Sequence, residues 1–279
     1  MGESNNATSM VQQQVMNVST PRKKMTKQLT GKRDDTRLHS AARAGNLDVV
    51  RDTLNSAEED ELLELLARQN QDGETALYVA AEYGYIDVVR EMIQYYDLAD
   101  AGIKARNGFD AFHIAAKQGD IGKLIICIYL VADILKILME VHPDLSMTVD
   151  PSNTTALHTA ATQGHIEIVK FLLEAGSSLA TIAKSNGKTA LHSAARNGHL
   201  EVVKALVEKE PGVAIRTDKK GQTALHMAVK GQNLEVVEAL IKADPSTINM
   251  IDNKGNTPLH IATRKARAQV NYIMLAKIP

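Results

Sequence analysis

"GKTALHSAARNGHLEVVKAL" (Gly187–Leu206) and "GQTALHMAVKGQNLEVVEAL" (Gly221–Leu240) are one pattern written twice, 34 residues apart. Working outward, "TTALHTAATQGHIEIVKFL" from Thr154, "GETALYVAAEYGYIDVVREM" from Gly73 and "DTRLHSAARAGNLDVVRDTL" from Asp35 are further copies, as are "GFDAFHIAAKQGD" from Gly108 and "GNTPLHIATRKARAQV" from Gly255. Aligned on the threonine position, the copies start at Thr36, Thr75, Asp110, Thr155, Thr189, Thr223 and Thr257, with spacings of 39, 35, 45, 34, 34 and 34. Periods of this size mark a stack of supersecondary units that bury a shared core.

The residues of one copy predict its local structure. Thr189 is placed to cap a helix, its hydroxyl accepting from a free first-turn N–H. Leu191, Ala194 and Ala195 set small apolar residues on one face, which lets the next unit approach closely. Gly198 ends that helix where a left-handed residue is wanted. Leu200, Val202, Val203 and Leu206 line a second helix. "DKKGQT" at Asp218 and "DNKGNT" at Asp252 read as turns into the next cap. The expected fold is all-α, a solenoid of helix–turn–helix units joined by hairpin-like loops.

The pattern resembles the ankyrin repeat, over Thr36 to about Val270. Its wording, in "PRKKMTKQLTGKRDDT" at Pro21, "ARNGFDAFHIAAKQGD" at Ala105 and "SLATIAKSNGKTALHSAARNGHLEVVKAL" at Ser178, is similar to plant ankyrin-repeat membrane proteins of the increased-tolerance-to-sodium-chloride type, with the accelerated-cell-death proteins as relatives. The resemblance implies a cytoplasmic ankyrin domain ahead of a C-terminal multi-span membrane domain. It also implies roles in salt-stress, abscisic-acid, reactive-oxygen and defence signalling through protein partners. The chain departs from that pattern at the insert described below, at Arg37 in the usual proline site, at Ala266 in place of a helix-ending glycine, and in stopping at Pro279. A membrane domain is therefore not expected within it.

Composition bounds the alternatives. A net charge of -1 with 44% hydrophobic residues gives no overall drive toward nucleic acid or membrane. One cysteine, Cys127, excludes an intramolecular disulfide framework and fits a reducing compartment. No stretch supplies the roughly 20 apolar residues of a spanning helix. No cofactor, metal or catalytic constellation stands out. The regular placement of His39, His113, His158, His192, His226 and His260 implies structural hydrogen bonds, one per unit. "GKT" at Gly187 lacks the upstream glycine of a phosphate loop, since Ile182 is there.

The organisation expected is a basic, Asn/Gln/Ser/Thr-rich leader over 1–33, disordered in character, then repeats over 34–279 with units starting near 35, 73, 108, 153, 187, 221 and 255 and the last one incomplete. The 39-residue gap holds "NSAEEDELLELLARQNQ", read as an extra helix with Ser56 and Glu59 as a capping box. The 45-residue gap holds 11 extra residues, Gly122 to Ala132, most of them in the apolar run from Leu124. Without them Ile121, Ile134, Leu135 and Leu138 serve an ordinary second helix. The insert is expected either to lengthen that helix, by about 16 Å, or to form an exposed apolar loop. Val270, Ile273 and Met274 are expected to lie uncovered at the far end.

Partner binding is expected on the tips and the exposed side of the first helices. Seven residues after each threonine position lie Arg43, Glu82, Lys117, Thr162, Arg196, Lys230 and Arg264, and the tips carry Arg106, Asn107, Lys188, Lys219, Lys220 and Lys254. Tyr83 and Phe109 are candidate aromatic anchors. A mildly basic concave face suits an acidic protein partner. Nucleic acid is not an expected direct partner. Membrane contact is expected only through the family's missing domain or weakly through the leader. The expected location is cytoplasmic, with the nucleus, and sequestration of a transcription factor, as the alternative.

Overall fold

The computed structural model describes residues 31–118 and 125–276, with 125–132 as backbone only. Within them the chain forms helix pairs, and no strand is present among the described residues. The pairs are α1 (Arg37–Ala44) with α2 (Leu47–Ser56), α4 (Ala76–Tyr83) with α5 (Ile86–Ile93), and α7 (Ala111–Lys117) with α8 (Ile125–Val141). They continue as α9 (Ala156–Gln163) with α10 (Ile166–Ala175), α11 (Ala190–Asn197) with α12 (Leu200–Lys209), α13 (Ala224–Gly231) with α14 (Leu234–Ala243), and α15 (Pro258–Arg264) with α16 (Ala268–Leu275). Two extra short helices, α3 (Glu59–Ala67) and α6 (Leu98–Ala101), follow the first and second pairs.

The pairs stack into two layers. First helices pack in a row, α1 on α4, then α7, α9, α11, α13 and α15. Second helices form the other row, α2 on α5, then α8, α10, α12, α14 and α16. Between the layers lie the motif leucines Leu38, Leu77, Leu157, Leu191 and Leu225, with Phe112 in the third pair, all buried. Ala42, Ala81, Ala116, Ala161 and Ala195 are buried on the first helices. Having no side chain beyond Cβ, they let adjacent first helices come close at little cost in entropy. Each pair covers its neighbour's apolar stripe, so none is stable alone.

Thr36, Thr75, Asp110, Thr155, Thr189, Thr223 and Thr257 each stand at the N-cap of a first helix. Thr36, Thr155 and Thr257 accept from the N–H three residues on. The Thr189 hydroxyl lies 2.9 Å from His192 Nδ1, a contact that Thr36, Thr155 and Thr257 also make with their histidines at 2.8 Å. Gly198 closes α11 at φ +83°. The sixth pair departs from this rule. There Gly231 sits one place early, where a Cβ would collide with the Arg196 carbonyl, and Gln232 takes the left-handed turn at φ +67°.

Two expectations are revised and one alternative is resolved. The extra helix α3 forms, but Ser56 ends α2 and donates to the Thr53 carbonyl, while Glu58 is the N-cap of α3 and makes no side-chain cap. Ser56 is already committed to the preceding helix, and Leu66 is the only residue of α3 that is fully buried. Of the two outcomes foreseen for the insert, the helical one is realised over Ile125–Ala132. The α8 helix runs 17 residues, and its Ile134, Leu135 and Leu138 occupy the core. Gly119, Ile121 and the start of the insert lie outside the described residues. At the far end Val270 and Met274 are buried, because α16 packs on α14 and α15. Tyr272, 77% exposed, and Leu275 are the uncovered apolar residues there.

Candidate protein-binding face

The edge between the first-helix layer and the loop tips is built by a repeated set of hydrogen bonds. Four buried motif histidines, His39, His158, His192 and His226, point Nε2 at a backbone carbonyl of the following unit: Glu74, Lys188, Gln222 and Asn256 respectively. A carbonyl only accepts, so Nε2 carries the proton. Nδ1 is then free to accept from the N–H of the capping threonine, as at Thr36, Thr155, Thr189 and Thr223. Each neutral imidazole thus ties its own helix start to the next tip. Burial lowers the pKa of all four, and for His158 to about 4 with the Lys184 charge adding to it. The second pair substitutes Tyr78, whose hydroxyl accepts from Asn107 of the next tip at 2.8 Å.

The third pair differs in charge. Asp110 replaces the threonine, and its Oδ1 accepts from His113 N–H and lies 2.9 Å from His113 Nδ1. Nε2 lies 2.8 Å from the Thr154 carbonyl. Both ring nitrogens face acceptors, an arrangement that favours the imidazolium. Burial opposes the charge, but the Asp110 hydrogen bond and carboxylate outweigh it and hold the His113 pKa above the usual value.

Three tips are held by their first residue, an aspartate. Asp150 Oδ1 accepts from the N–H groups of Ser152 and Thr154, Asp218 Oδ1 from Lys220 and Gln222, and Asp252 Oδ1 from Lys254 and Asn256. Four N–H donors, including the Gln222 and Asn256 amides, hold the Asp252 carboxyl well below the usual range against the effect of its burial. Successive tips join by backbone bonds, Arg106 N–H to Asp72, Ser185 to Ser152, Lys219 to Asn186 and Asn253 to Lys220.

In the first, third and sixth units the residue just before the cap and the residue seven beyond it come together, and this pairing engages the cation there. In the first unit Arg43 meets Asp35 at 3.1 Å, with Glu74 at 3.9 Å and Tyr83 beneath its guanidinium at 5.6 Å. With its side chain only 5% exposed, Arg43 is an internal ion-pair residue and not part of the open face where the repeat spacing placed it. Glu82, half-buried, has its pKa raised by burial and then by Glu74. Tyr83 is exposed and stacks on Tyr85 with centroids 6.2 Å apart. In the third unit Lys117 lies 5.5 Å above the Phe109 ring, whose face also stacks on His113. Phe109 is therefore half-buried and already occupied. In the sixth unit Lys230 donates to the Gln222 amide oxygen.

The remaining expected residues lie in the open. Arg106, Lys117, Arg196, Lys219, Lys220, Lys254 and Arg264 are exposed and Lys230 half-buried. Among the described residues none of these eight makes an ion pair, whereas the second-layer cations Arg51, Lys136, Lys170 and Lys204 each hold a carboxylate. Lys184 was missed by sequence reasoning. It stands five residues before its cap, where Asn70, Asp150, Asp218 and Asp252 stand in other units, and aligning that column would have exposed it. Among the described residues no group of three or more His, Cys, Asp or Glu is placed to hold a metal ion, and no helix is long and apolar enough to cross a membrane.

A stack of capped helix pairs joined by hydrogen-bonded tips defines a repeat scaffold. The family model described as ankyrin repeats (three copies) matches residues 3–98, 38–134, 124–217 and 211–277, and the chain belongs to the ankyrin-repeat family, a non-catalytic scaffold fold. The chain is 60% identical over 135 residues to ankyrin repeat-containing protein At5g02620 of Arabidopsis thaliana (48% of this chain, 24% of that protein). It is 44% identical over 150 residues to ankyrin repeat-containing protein ITN1 of the same plant (48% and 24%), and 42% identical over 174 residues to ankyrin repeat-containing protein NPR4 of Oryza sativa subsp. japonica (58% and 28%). The chain spans about a quarter of the length of these curated relatives. The architecture supports a role in protein–protein interaction.

Proposed function

We propose that the chain is a non-enzymatic interaction scaffold that receives an acidic protein segment across its first-helix layer and tips, in plant salt-stress, abscisic-acid or defence signalling. The observation that carries the binding reading is the charge asymmetry between the layers. Four cations of the second helices, Arg51, Lys136, Lys170 and Lys204, are paired with carboxylates three residues away or on the next helix, while Arg90, Lys209 and Lys242 are not. Those on the first helices and tips of the later units meet no carboxylate side chain in an ion pair. Charge left unpaired on one face steers an oppositely charged partner and fixes its orientation more than it adds affinity. The signalling context is supported by the resemblance to plant ankyrin-repeat membrane proteins and by the plant origin of the matched relatives.

The test compares two charge-matched variants of the full chain, R196E/K219E/K230E on the proposed face and K170E/K204E/K242E on the second layer. Binding of each to an immobilised poly-glutamate peptide is measured by surface plasmon resonance. The first variant is expected to lose binding and the second to retain it. Equal losses reduce the effect to net charge and overturn the assignment of the face.

A further inference from the structure

The fifth unit breaks the pairing that settles charge elsewhere on this face. Its residue before the cap is Lys188 and its residue seven beyond is Arg196, two cations where other units oppose Arg43 with Asp35, Lys117 with Phe109 and Lys230 with Gln222. Lys184, in the column that carries Asp or Asn in most other units, is in the same tip as Lys188 and donates its backbone N–H to the Lys188 carbonyl at 2.9 Å, and Lys230 occupies the Arg196 position on α13, the next first helix, which packs on α11. Burial and the Lys188 charge depress the Lys184 ammonium, against the pull of Asp150. Burial, Arg196 and Lys188 depress Lys230, against Asp218 and Asp252. Asp150, Asp218 and Asp252 offset part of this charge from beneath: Asp218 and Asp252 are buried, and each of the three turns one oxygen to backbone N–H groups of its own tip and not to a lysine or arginine. None of the four cations forms an ion pair.

We infer that Lys184, Lys188, Arg196 and Lys230 form a binding site for a phosphoryl group carried on a phosphorylated serine or threonine of a partner protein segment. The inference rests on the reading that this face receives a protein partner. It narrows that partner to one whose negative charge is concentrated on a single group. A carboxylate brings one charge and two oxygens. A phosphoryl group brings about -1.5 to -2 charges and three acceptor oxygens, enough to engage the cations of one unit and reach the next. Arg196 supplies a planar fork that fits two of those oxygens, and the lysines act as point charges around it. Exposed Lys219 and Lys220 on the adjoining tip add longer-range attraction. A bilayer surface fits less well, because none of the exposed large apolar side chains stands on the tips 184–188 or 218–222, so nothing there would enter a lipid interface.

The test uses the full chain and fluorescent degenerate peptide libraries with a fixed central phosphoserine, glutamate or serine, read by anisotropy. Vesicles with and without phosphatidylinositol phosphate form a separate arm. The phosphoserine library is expected to bind about tenfold more tightly than the glutamate library. R196Q and K188Q should each cost it about tenfold, and R196K should fall between R196Q and wild type. K204Q, on the second layer, should leave binding unchanged. Both target side chains are solvent-accessible, and unchanged melting curves confirm that the variants fold. Equal binding of the phosphoserine and glutamate libraries overturns the phosphoryl site and leaves the acidic-partner reading standing. Binding of neither library overturns both. Binding to phosphoinositide vesicles without binding to the phosphoserine library overturns it in favour of a lipid headgroup.

Discussion

Acidification should loosen the stack through the histidines that join its units, and His158 gives the size of the effect. Its Nε2–H donates to the Lys188 carbonyl and its Nδ1 accepts from Thr155 N–H, so a second proton would set donor against donor. The folded pKa is about 4 against 6.5 for the free side chain. A depressed histidine contributes its stability in full above the unfolded pKa and loses it as pH falls toward the folded one. The difference of 2.5 units is about 3 kcal/mol in total, roughly 2 kcal/mol of it gone by about pH 4.5. H158Q keeps an amide donor for Lys188 but cannot titrate. Urea unfolding followed by circular dichroism at about pH 7 and about pH 4.5 should show wild type losing about 2 kcal/mol more than H158Q. His113 has the opposite sign, because Asp110 raises its pKa. Its contribution is present below the unfolded pKa and is lost as pH rises through the folded one. H113Q should therefore lose more stability on acidification than wild type. Equal pH dependence of wild type and H158Q, or a shallower one in H113Q, would refute the assignment of protonation states.

Three further outcomes follow from the packing. Gln232→Gly relieves a non-glycine residue at φ +67° and should raise stability by about 1 kcal/mol in chemical denaturation, with Ala266→Gly at φ +53° acting in the same direction. Arg43→Gln strips the cation from the buried Asp35 carboxylate, while Glu74 keeps Lys32 at 2.7 Å, and should cost about 3 kcal/mol, read as a lower urea midpoint, without weakening binding of the poly-glutamate peptide. Deleting residues 122–132 returns the third spacing from 45 to 34 while sparing Ile134, Leu135 and Leu138, and should raise the melting temperature and solubility with peptide binding intact.

The helix-pair stack was legible because the repeat couples each threonine cap, leucine and small-residue pair to one period, and a single column of letters reports on one structural position. What stayed hidden was the environment created when columns meet. Arg43 and Arg196 share a column, yet one is buried against Asp35 and the other exposed beside Lys188, because the partner sits eight residues upstream. Asp110 was visible as the one non-threonine cap, but the pull it exerts toward a protonated His113 required seeing both ring nitrogens opposite acceptors. The burial of Met274 depended on α16 reaching α14, which the fading of the motif after Arg264 concealed.

The central claim is that partners meet the first-helix layer and tips of the later units. Site-specific photocrosslinking tests it most directly, with benzoylphenylalanine placed singly at Arg196, Lys219 or Lys230 and at Lys170, Lys204 or Lys242, each full-length chain incubated in plant extract and irradiated. A shared crosslinked species is expected from the first three positions and absent from the second three. A species captured from Lys170, Lys204 and Lys242 but not from Arg196, Lys219 or Lys230 would place the partner on the opposite layer and contradict the account.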